Sequence, residues 1–326
     1  MGKSAIIRMV VVKDRAAYIK AMNDSRPTPA SDMPSDTWVD NLAPTAVRPY
    51  LRLARVDRPI GTWLLLIPCW WGYAMASPGL PDWWIMGLFA LGALAMRGAG
   101  CTINDLTDRD FDRMVARTAT RPLASGEISV VGGFVFLAFL SAIGLAVLWQ
   151  FNTFTIQLGV ASLALVVVYP FAKRFTYWPQ LFLGFTFNWG ALMGWSAATG
   201  GLAAPALWLY AAGIFWTLGY DTIYAHQDKA DDLLVGVKST ALKFGDRTRY
   251  WLALFYAAGL ILLVAAGSAA ALAWPYFVAL ILGALHLAWQ VWRVDFDSPA
   301  RCLFFFKSNR DFGLIVLAGI IGARLL

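Results

Sequence analysis

The chain has 326 residues, of which 59% are hydrophobic and only 14% are charged. Soluble proteins carry about 25% charged residues, so this composition excludes an ordinary soluble domain and favours one bundle embedded in a membrane. The net charge of +7 does not indicate a nucleic-acid partner, because no basic stripe with interleaved aromatic residues accompanies it.

The first 45 residues are polar and of mixed charge, and four prolines interrupt any long helix there: Pro27, Pro29, Pro34 and Pro44. The apolar run 5–12 contains Arg8 and lacks a small-residue cleavage site, so it is a poor signal peptide. We predict a flexible cytoplasmic extension over residues 1–45 and one membrane domain over residues 46–326.

From residue 59 onward, apolar segments recur with lengths near the ~20 residues that cross a bilayer. Because a chain surrounded by lipid must satisfy its own backbone hydrogen bonds, each segment is expected to be a helix. The sequence predicts nine such spans, at 59–77, 83–104, 128–149, 153–170, 178–199, 205–225, 249–269, 272–292 and 310–326.

The connections between these spans alternate strongly in charge. Between two and five Lys or Arg residues stand in each of the loops 105–126, 171–177, 226–249 and 293–310. None stands in the connections 78–82, 150–152, 200–204 and 270–271. By the positive-inside rule the charged loops face the cytoplasm, and with nine spans the C-terminus lies outside.

An acidic cluster follows the second predicted span, in the stretch Asn104-Asp105-Leu106-Thr107-Asp108-Arg109-Asp110-Phe111-Asp112. On a helix of about 100° per residue, four of these side chains fall within an arc of about 100°: Asn104, Asp105, Asp108 and Asp112. Asp110 lies on the opposite side of that helix and is predicted to be outside the site.

A second acidic cluster follows the sixth predicted span, between Tyr220 and Asp232. Asp221, Asp228 and Asp232 lie within about 40° of one another on a helix, and Asp231 flanks them. The recurrence of an acidic cluster in each half of the chain suggests an internal duplication.

Carboxylates on one helix face repel one another unless a cation neutralises them. Hard oxygen ligands with no cysteine and little histidine suit Mg²⁺, which binds one or two carboxylates together with substrate phosphates. The two faces therefore predict a site that holds a diphosphate through Mg²⁺. Solvated loop charge is the plain alternative, but the one-face spacing occurs twice and at the membrane boundary. A secondary transporter is another alternative, and it predicts acidic residues near mid-membrane instead.

Four motifs occur in order over about residues 50–326. The two most specific are Asn104-Asp105-x-x-Asp108-x-x-x-Asp112 with Arg117-Thr118-x-x-Arg121-Pro122-Leu123-x-x-Gly126, and Tyr220-Asp221-x-x-Tyr224-Ala225-x-x-Asp228-x-x-Asp231-Asp232 with Gly236-x-Lys238-Ser239-Thr240. The supporting two are Asp57-Arg58-Pro59-Ile60-Gly61-Thr62 and Tyr169-Pro170-Phe171-x-Lys173-Arg174. Together they resemble the UbiA superfamily of membrane prenyltransferases, and most of all its members that act on 4-hydroxybenzoate.

The resemblance implies an all-α integral membrane protein, a bundle of about nine transmembrane helices around a central cavity that opens to lipid. It implies Mg²⁺ as cofactor, with the ligands Asn104, Asp105, Asp108, Asp112, Asp228 and Asp232. It also implies diphosphate-binding cations at Arg117, Lys173 and Arg174, and a further substrate-binding residue at Arg121.

The implied reaction is prenylation of the acceptor ring, ortho to its hydroxyl, by a polyprenyl diphosphate. Asp108, Asp112, Asp228 and Asp232 serve the departure of diphosphate, and Asp221 either takes the ring proton or orients Tyr224 and Lys238. Arg58 pairs with the acceptor carboxylate or is an interfacial anchor, and Arg174 is its rival. The aromatic rings of Tyr169, Phe171 and Tyr224 shield the allylic cation or merely pack. His226 and His286 are predicted not to be catalytic.

These implications lead to one functional prediction: a 4-hydroxybenzoate polyprenyltransferase activity of ubiquinone biosynthesis, in a bacterial inner membrane with its site facing the cytoplasm. Homogentisate, a naphthoate or haem are the alternative acceptors within the same superfamily. Membrane lipid is the expected surrounding partner, and no nucleic acid is expected.

Overall fold

The computed structural model is helical throughout the part of the chain that it describes, which comprises residues 33–34, 36–114, 118–235 and 238–326. For residues 170, 228 and 230–235 it describes the backbone alone. In chain order the helices are α1 (Trp38–Leu42), α2 (Arg48–Leu53), α3 (Ile60–Ala76), α4 (Trp83–Thr107), α5 (Arg109–Asp112), α6 (Pro122–Ser125), α7 (Val130–Leu148), α8 (Thr153–Phe175), α9 (Pro179–Thr199), α10 (Ala204–Val235), α11 (Thr240–Phe244), α12 (Thr248–Ala269), α13 (Trp274–Arg293) and α14 (Pro299–Arg324).

Each of the nine predicted spans falls on one long helix of this fold. Among the described residues, five helical stretches are long and apolar enough to cross a membrane: Trp83–Thr107, Val130–Leu148, Thr153–Phe175, Thr240–Ala269 and Trp274–Arg293. Ile60–Ala76 is a shorter apolar helix. The all-helical membrane fold is confirmed, whereas the number of nine spans stays a prediction.

Three predicted charged loops are largely helical, which corrects the predicted boundaries. Helix α8 runs to Phe175 instead of ending at 170, α10 runs to Val235, and α14 begins at Pro299, well before 310. Hydropathy marks the part of a helix that lies in hydrocarbon, but backbone hydrogen bonds continue into water wherever the sequence allows.

Polar side chains fix the starts of the long helices at the uncharged connections. The Asp82 carboxylate accepts a hydrogen bond from the Trp84 amide at the start of α4, and Asn152 accepts one from the Thr155 amide at the start of α8. These are N-caps, which satisfy amides that have no partner inside the helix. Helix α9 ends at Gly200, whose φ of 73° is the left-handed conformation that glycine adopts without strain.

Helices α3 and α9 pack backbone against backbone at the centre of the bundle. A Cβ atom added to Gly72 would overlap the Ala191 carbonyl, and one added to Gly194 would overlap the Cys69 carbonyl. Small residues allow this close approach, on which helix association in lipid depends. Trp71 is fully buried beside this contact and donates its Nε1 hydrogen to the Gly313 carbonyl of α14 at 2.8 Å.

Helices α7 and α8 turn large apolar side chains away from the bundle. The exposed ones include Phe134, Val135, Phe139, Leu145, Val160, Leu163 and Val167. An apolar surface of this extent is the kind that lipid covers, because soluble monomers rarely leave contiguous apolar patches in water. Asp105 and Asp112 of the first acidic motif are buried instead.

Candidate active site

The first acidic motif sits at a junction between two helices. Helix α4 ends at Thr107, and Asp108 stands between it and the short helix α5. The backbone bonds from Asp108 to Asn104 (2.9 Å) and from Asp112 to Asp108 (2.8 Å) carry the helical path across this junction. The motif therefore keeps its one-sided arrangement although the predicted continuous helix is interrupted.

Two arginines and two aspartates of this region form a buried ionic network, which we call the arginine lattice: Arg55, Asp105, Arg121 and Asp112. The Arg55 guanidinium donates from Nη2 to Asp105 Oδ1 at 2.8 Å. Arg121 Nη1 lies 3.3 Å from Asp105 Oδ1 and 3.0 Å from Asp112 Oδ2, so it bridges the two carboxylates. Burial raises the pKa of Asp112, and the Arg121 charge opposes that rise.

The arginine lattice engages two residues with predicted roles in the site. The Asp105 side chain is only 2% exposed, and Arg55 contacts both of its oxygens. Arg121 is held between two carboxylates. The predicted roles of Asp105 as a Mg²⁺ ligand and of Arg121 as a substrate contact stay predictions, and support of Asp112 from these ion pairs is the alternative role. Helix periodicity could not distinguish these roles, because it does not show which cation folds back onto which aspartate.

Sequence reasoning missed Arg55, the outer member of the arginine lattice. Its φ of 60° places it in the left-handed region, which costs a residue with a Cβ atom about 1–3 kcal/mol. Such backbone strain persists only where surrounding contacts fix it, and here the Asp105 pair does so. The available signal was the position of Arg55 directly before the Asp57-Arg58-Pro59 motif.

Asp108 differs from its neighbours because its carboxylate reaches the open side of the site. Its side chain is 27% exposed, and Lys173 Nζ donates to its Oδ2 at 3.0 Å. Arg174 Nη2 lies 3.9 Å from its other oxygen. Lys173 and Arg174 occupy the last turn of α8, so the fold brings the predicted diphosphate-binding cations to the predicted metal-binding carboxylate.

Asp110 lies away from this group, as the helix arc predicted. Its side chain is 90% exposed, and the nearest cations are Arg113 at 3.7 Å and Arg109 at 3.9 Å. Solvent screens contacts of that kind, so they contribute little to stability.

The second acidic motif lies on one uninterrupted helix, because α10 extends from Ala204 to Val235. Asp221 is half-buried on it. The side chains of Asp228, Asp231 and Asp232 lie outside the described residues, as does all of Arg117. The continuity of α10 agrees with the predicted common face, and the assignment of these three residues stays a prediction.

Arg97 is a second candidate site residue that the sequence analysis missed. It lies inside the apolar helix α4, and its Nε is buried with no hydrogen-bond partner in the described part of the chain. A Cβ atom added at Gly61 would stand 2.5 Å from that Nε, so the glycine makes room for the guanidinium. A charged residue within a membrane helix is a functional candidate by default, and that isolated charge was the available signal.

Arg97 shares its surroundings with polar groups from two other helices. Tyr169 of α8 lies within electrostatic range of Arg97, Asp221 and Tyr224. The Arg97 guanidinium also stands 5.7 Å from the centre of the Phe187 ring. Arg97 precedes Asp108 by about 16 Å along the helix and lies on the same face, within about 20°. The candidate site thus extends inward along α4, from Asp108 to Arg97 and the tyrosines near it.

The remaining predicted residues lie around this arrangement. Arg58 donates from Nη1 to Asp57 Oδ2 at 2.8 Å, so it has an intramolecular carboxylate partner. Lys238 donates to the Phe175 carbonyl at 3.3 Å and lies beside Lys173, whose carbonyl accepts the Lys238 amide. The Tyr224 ring packs 4.7 Å from Phe306, which favours the packing role for that tyrosine.

The donor chemistry of this site fits Mg²⁺. Among the described residues, no group of three or more His, Cys, Asp or Glu side chains is arranged to hold a metal ion. Mg²⁺ does not require such a cage, since one or two carboxylates, waters and substrate phosphate oxygens complete its shell. Asp108 and the amide oxygen of Asn104 one turn earlier are oxygen donors of that kind.

Comparison with known proteins agrees with this geometry. The sequence profile of the UbiA prenyltransferase family matches residues 65–314. A Caenorhabditis elegans protein named 4-hydroxybenzoate polyprenyltransferase, mitochondrial, is 50% identical over 94% of this chain and 86% of its own. The human protein of that name is 52% identical over 87% of this chain and 77% of its own.

Solved structures of the same family share the fold. A UbiA homolog from Aeropyrum pernix K1, solved without ligand, superposes with a TM-score of 0.67 at 28% identity, over 80% of this chain and 97% of that one. A UbiA homolog from Archaeoglobus fulgidus, solved bound to GPP and Mg²⁺, superposes with a TM-score of 0.60 at 20% identity, over 84% and 99%.

The prediction of a bacterial inner membrane is wrong on this comparison. The relatives at about 50% identity are named as mitochondrial proteins, from nematode, mammals and plant alike. They indicate a mitochondrial membrane. Charge patterning alone identifies the positively charged side of a membrane but not which membrane it is.

Proposed function

Because the chain belongs to the UbiA prenyltransferase family, we propose that it transfers a polyprenyl group from polyprenyl diphosphate to 4-hydroxybenzoate. The new bond forms at the ring carbon ortho to the hydroxyl, and diphosphate is released. This is the prenylation step of ubiquinone biosynthesis. Identity to relatives named for this acceptor, 50% over 308 residues, supports the choice of 4-hydroxybenzoate over homogentisate, a naphthoate or haem.

One observation carries the proposal: an open carboxylate flanked by two cations, with a further, half-buried cation on the same helix face as the carboxylate. Asp108, Lys173 and Arg174 form the first group at the charged end of the bundle. Arg97 forms the second, deeper in α4 and within electrostatic range of the same tyrosine as Asp221. The first group suits a diphosphate, and the second suits an acceptor that carries a carboxylate.

The donor half of the reaction begins when the allylic C–O bond breaks and diphosphate departs with the electron pair. Lys173 and Arg174 stand where they can neutralise the departing oxygens, and such electrostatic stabilisation is usually the largest catalytic contribution. Bound Mg²⁺ supplies further charge neutralisation there, with Asn104, Asp108, Asp112, Asp228 and Asp232 as the proposed oxygen donors. The arginine lattice keeps Asp112 in place from behind.

The acceptor half requires the ring to meet the allylic cation in the absence of water. Arg97 pairs with the carboxylate of 4-hydroxybenzoate and so directs the other end of the ring toward Asn104, about 10 Å nearer the charged end. The ring carbon attacks, the C–C bond forms, and the ring proton leaves to Asp221 or to water that Asp221 orients. Arg58 becomes the lesser candidate for the acceptor carboxylate, because Asp57 already occupies its guanidinium.

An assay with labelled polyprenyl diphosphate tests the reaction. Membranes that contain the protein, Mg²⁺ and each candidate acceptor in turn should yield a prenylated lipid with 4-hydroxybenzoate. EDTA should remove that product, and added Mg²⁺ should restore it. Absence of product with every acceptor would reject the enzyme, and product unchanged in EDTA would reject the metal.

Gly61→Ala tests the acceptor site with minimal change. The added methyl group must displace the guanidinium of Arg97, the far end of a flexible side chain, so the fold should survive. We expect the KM for 4-hydroxybenzoate to rise about tenfold, the loss of roughly 1.4 kcal/mol of binding. The KM for the prenyl donor should stay constant.

The matched control for this variant is the substrate itself. With 4-hydroxybenzamide, which has no negative charge, wild type and Gly61→Ala should have the same acceptor KM. An equal penalty with both acceptors would mean that Arg97 does not recognise the carboxylate.

A further inference from the structure

A cavity of about 230 Å³ lies behind α10, away from the acidic face. We call it the rear pocket, and it is lined by His226, Lys229, Asp246, Arg249, Phe296 and Asp297. It is enclosed by the charged end of α10, the turn Gly245–Arg247 with the start of α12, and the segment between α13 and α14. His226 and Asp228 are separated by about 200° around the helix, so this cavity and the proposed active site lie on opposite sides of α10.

The hydrogen bonds of Thr248 fix the tautomer of His226, that is, which ring nitrogen carries the hydrogen. The Thr248 hydroxyl donates to the Gly245 carbonyl at 2.6 Å, which commits its single hydrogen. The His226 Nε2 at 3.0 Å must therefore donate to the same hydroxyl, and Nδ1 must be the acceptor nitrogen. His226 is only 6% exposed, and its Nδ1 atom is buried without a hydrogen-bond partner in the described part of the chain. A buried acceptor of this kind calls for a donor.

The charged residues around the rear pocket suit a ligand that carries both a positive and a negative group. Asp246 and Asp297 are exposed carboxylates for which the described residues supply no ion-pair partner. Lys229 is a half-buried cation that lines the same pocket and also has no ion-pair partner among the described residues. Arg249 is already engaged, since it donates to the Val294 carbonyl at 2.9 Å and lies 5.6 Å from the Phe296 ring centre.

Aromatic residues place the rear pocket at the level of lipid headgroups. Tyr250 and Trp292 flank it and are 79% and 76% exposed. Exposed Tyr and Trp at the ends of membrane helices mark the interface between hydrocarbon and water. The outward side chains deeper in α12 and α13 are apolar, among them Leu254 and Leu285, so acyl chains can lie directly below the pocket.

We propose that the rear pocket binds the headgroup of a phospholipid that carries a primary ammonium, as in phosphatidylethanolamine. The ammonium donates to His226 Nδ1 and pairs with Asp246 and Asp297. The phosphate meets Lys229. The acyl chains descend along the apolar faces of α12 and α13.

Lipid retention by the purified full-length protein tests this proposal. Native mass spectrometry compares phosphatidylethanolamine, phosphatidylcholine and phosphatidylglycerol with the same acyl chains. The choline headgroup has no hydrogen to donate to His226, and the glycerol headgroup has no cation for the carboxylates. We expect phosphatidylethanolamine to be retained about tenfold more strongly than either.

Variants of the pocket separate specific binding from general adhesion. The double variant Asp246→Asn with Asp297→Asn changes only exposed side chains, and it should reduce the preference over phosphatidylglycerol to about twofold or less. His226→Phe keeps a ring of similar shape and should lose the preference over phosphatidylcholine. Asp311→Asn is the matched control, since it removes an exposed carboxylate that pairs with Arg310 outside the pocket and should retain the preference.

Three results would overturn the proposal. The first is equal retention of the three lipids by the wild-type protein, and the second is a preference over phosphatidylglycerol that survives the double variant. The third is displacement of the lipid by glycerophosphoethanolamine at comparable concentration, which would mean that the pocket takes a soluble molecule with this headgroup.

Discussion

Two polar networks lie in different parts of this bundle, and they are built from different chemistry. The arginine lattice at the charged end consists of full charges: Arg55, Asp105, Arg121 and Asp112. The second network, which we call the amide network, joins the C-terminal helices through neutral groups only: Trp216, Tyr256, Gln290, Ser308 and Asn309.

The amide network links four helices: α10, α12, α13 and α14. Tyr256 of α12 donates to the Gln290 side chain of α13 at 2.7 Å, and Gln290 donates to Ser308 of α14 at 3.0 Å. Trp216 of α10 donates to Asn309 at 2.9 Å. Gln290 and Asn309 are completely buried, and each amide finds partners on neighbouring helices.

The difference follows from what burial costs each kind of group. An ion is costly to bury in hydrocarbon, whereas a neutral amide is tolerated once its hydrogen bonds are satisfied. Each ion of the arginine lattice is accordingly paired with an opposite charge, beside the proposed site. Neutral groups hold the helices together at a small gain per bond.

The largest effect is expected at Asp108, the open carboxylate beside the arginine lattice. Asp108→Asn keeps the shape but removes the charge, so kcat for prenyl transfer should fall by about 10²–10³-fold. Asp110→Asn is the control, because its exposed carboxylate points away from the site. Similar losses in the two variants would show that the helix face has no bearing on catalysis.

Arg55→Met tests whether the arginine lattice stabilises the fold around the proposed site. The change leaves Asp105 buried with Arg121 as its remaining cation among the described residues, so the free energy of unfolding should fall by about 2–3 kcal/mol. Arg310→Met, which removes an exposed pair with Asp311, should cost under about 0.5 kcal/mol. A double variant with Asp105→Leu should recover part of the loss, and strict additivity of the two losses would contradict the pairing.

Gln290→Leu tests the amide network and should have the smallest effect. Hydrogen bonds between membrane helices average about 0.6 kcal/mol, so losing the Gln290 contacts should cost about 1–2 kcal/mol in thermal unfolding and leave the Mg²⁺ dependence of activity unchanged. Gln150→Leu is the control, since that glutamine is exposed and bonds to one carbonyl of its own helix. A loss as large as that of Arg55→Met would remove the contrast between the two networks.

Sequence patterns predicted the helices and the aspartate faces because both follow from local periodicity. Asp108 is open and Asp110 is outside the site, as the arc of about 100° required. The helix arc predicted the same environment for Asp105 and Asp108. In the structure Asp105 is buried beside two arginines, whereas Asp108 is 27% exposed. The sequence analysis did not identify Arg97, because the space that its guanidinium occupies is left by Gly61, which lies on another helix.

The sequence by itself determined that this is a helical membrane protein with its acidic motifs at the positively charged ends of the spans, since hydropathy and charge are properties of short segments. Only the tertiary structure decided which charges neutralise one another, which remain open, and which glycine makes room for the guanidinium of Arg97. Those outcomes depend on distances between segments far apart in the chain, such as the 2.8 Å between Arg55 and Asp105 and the 3.0 Å between Lys173 and Asp108.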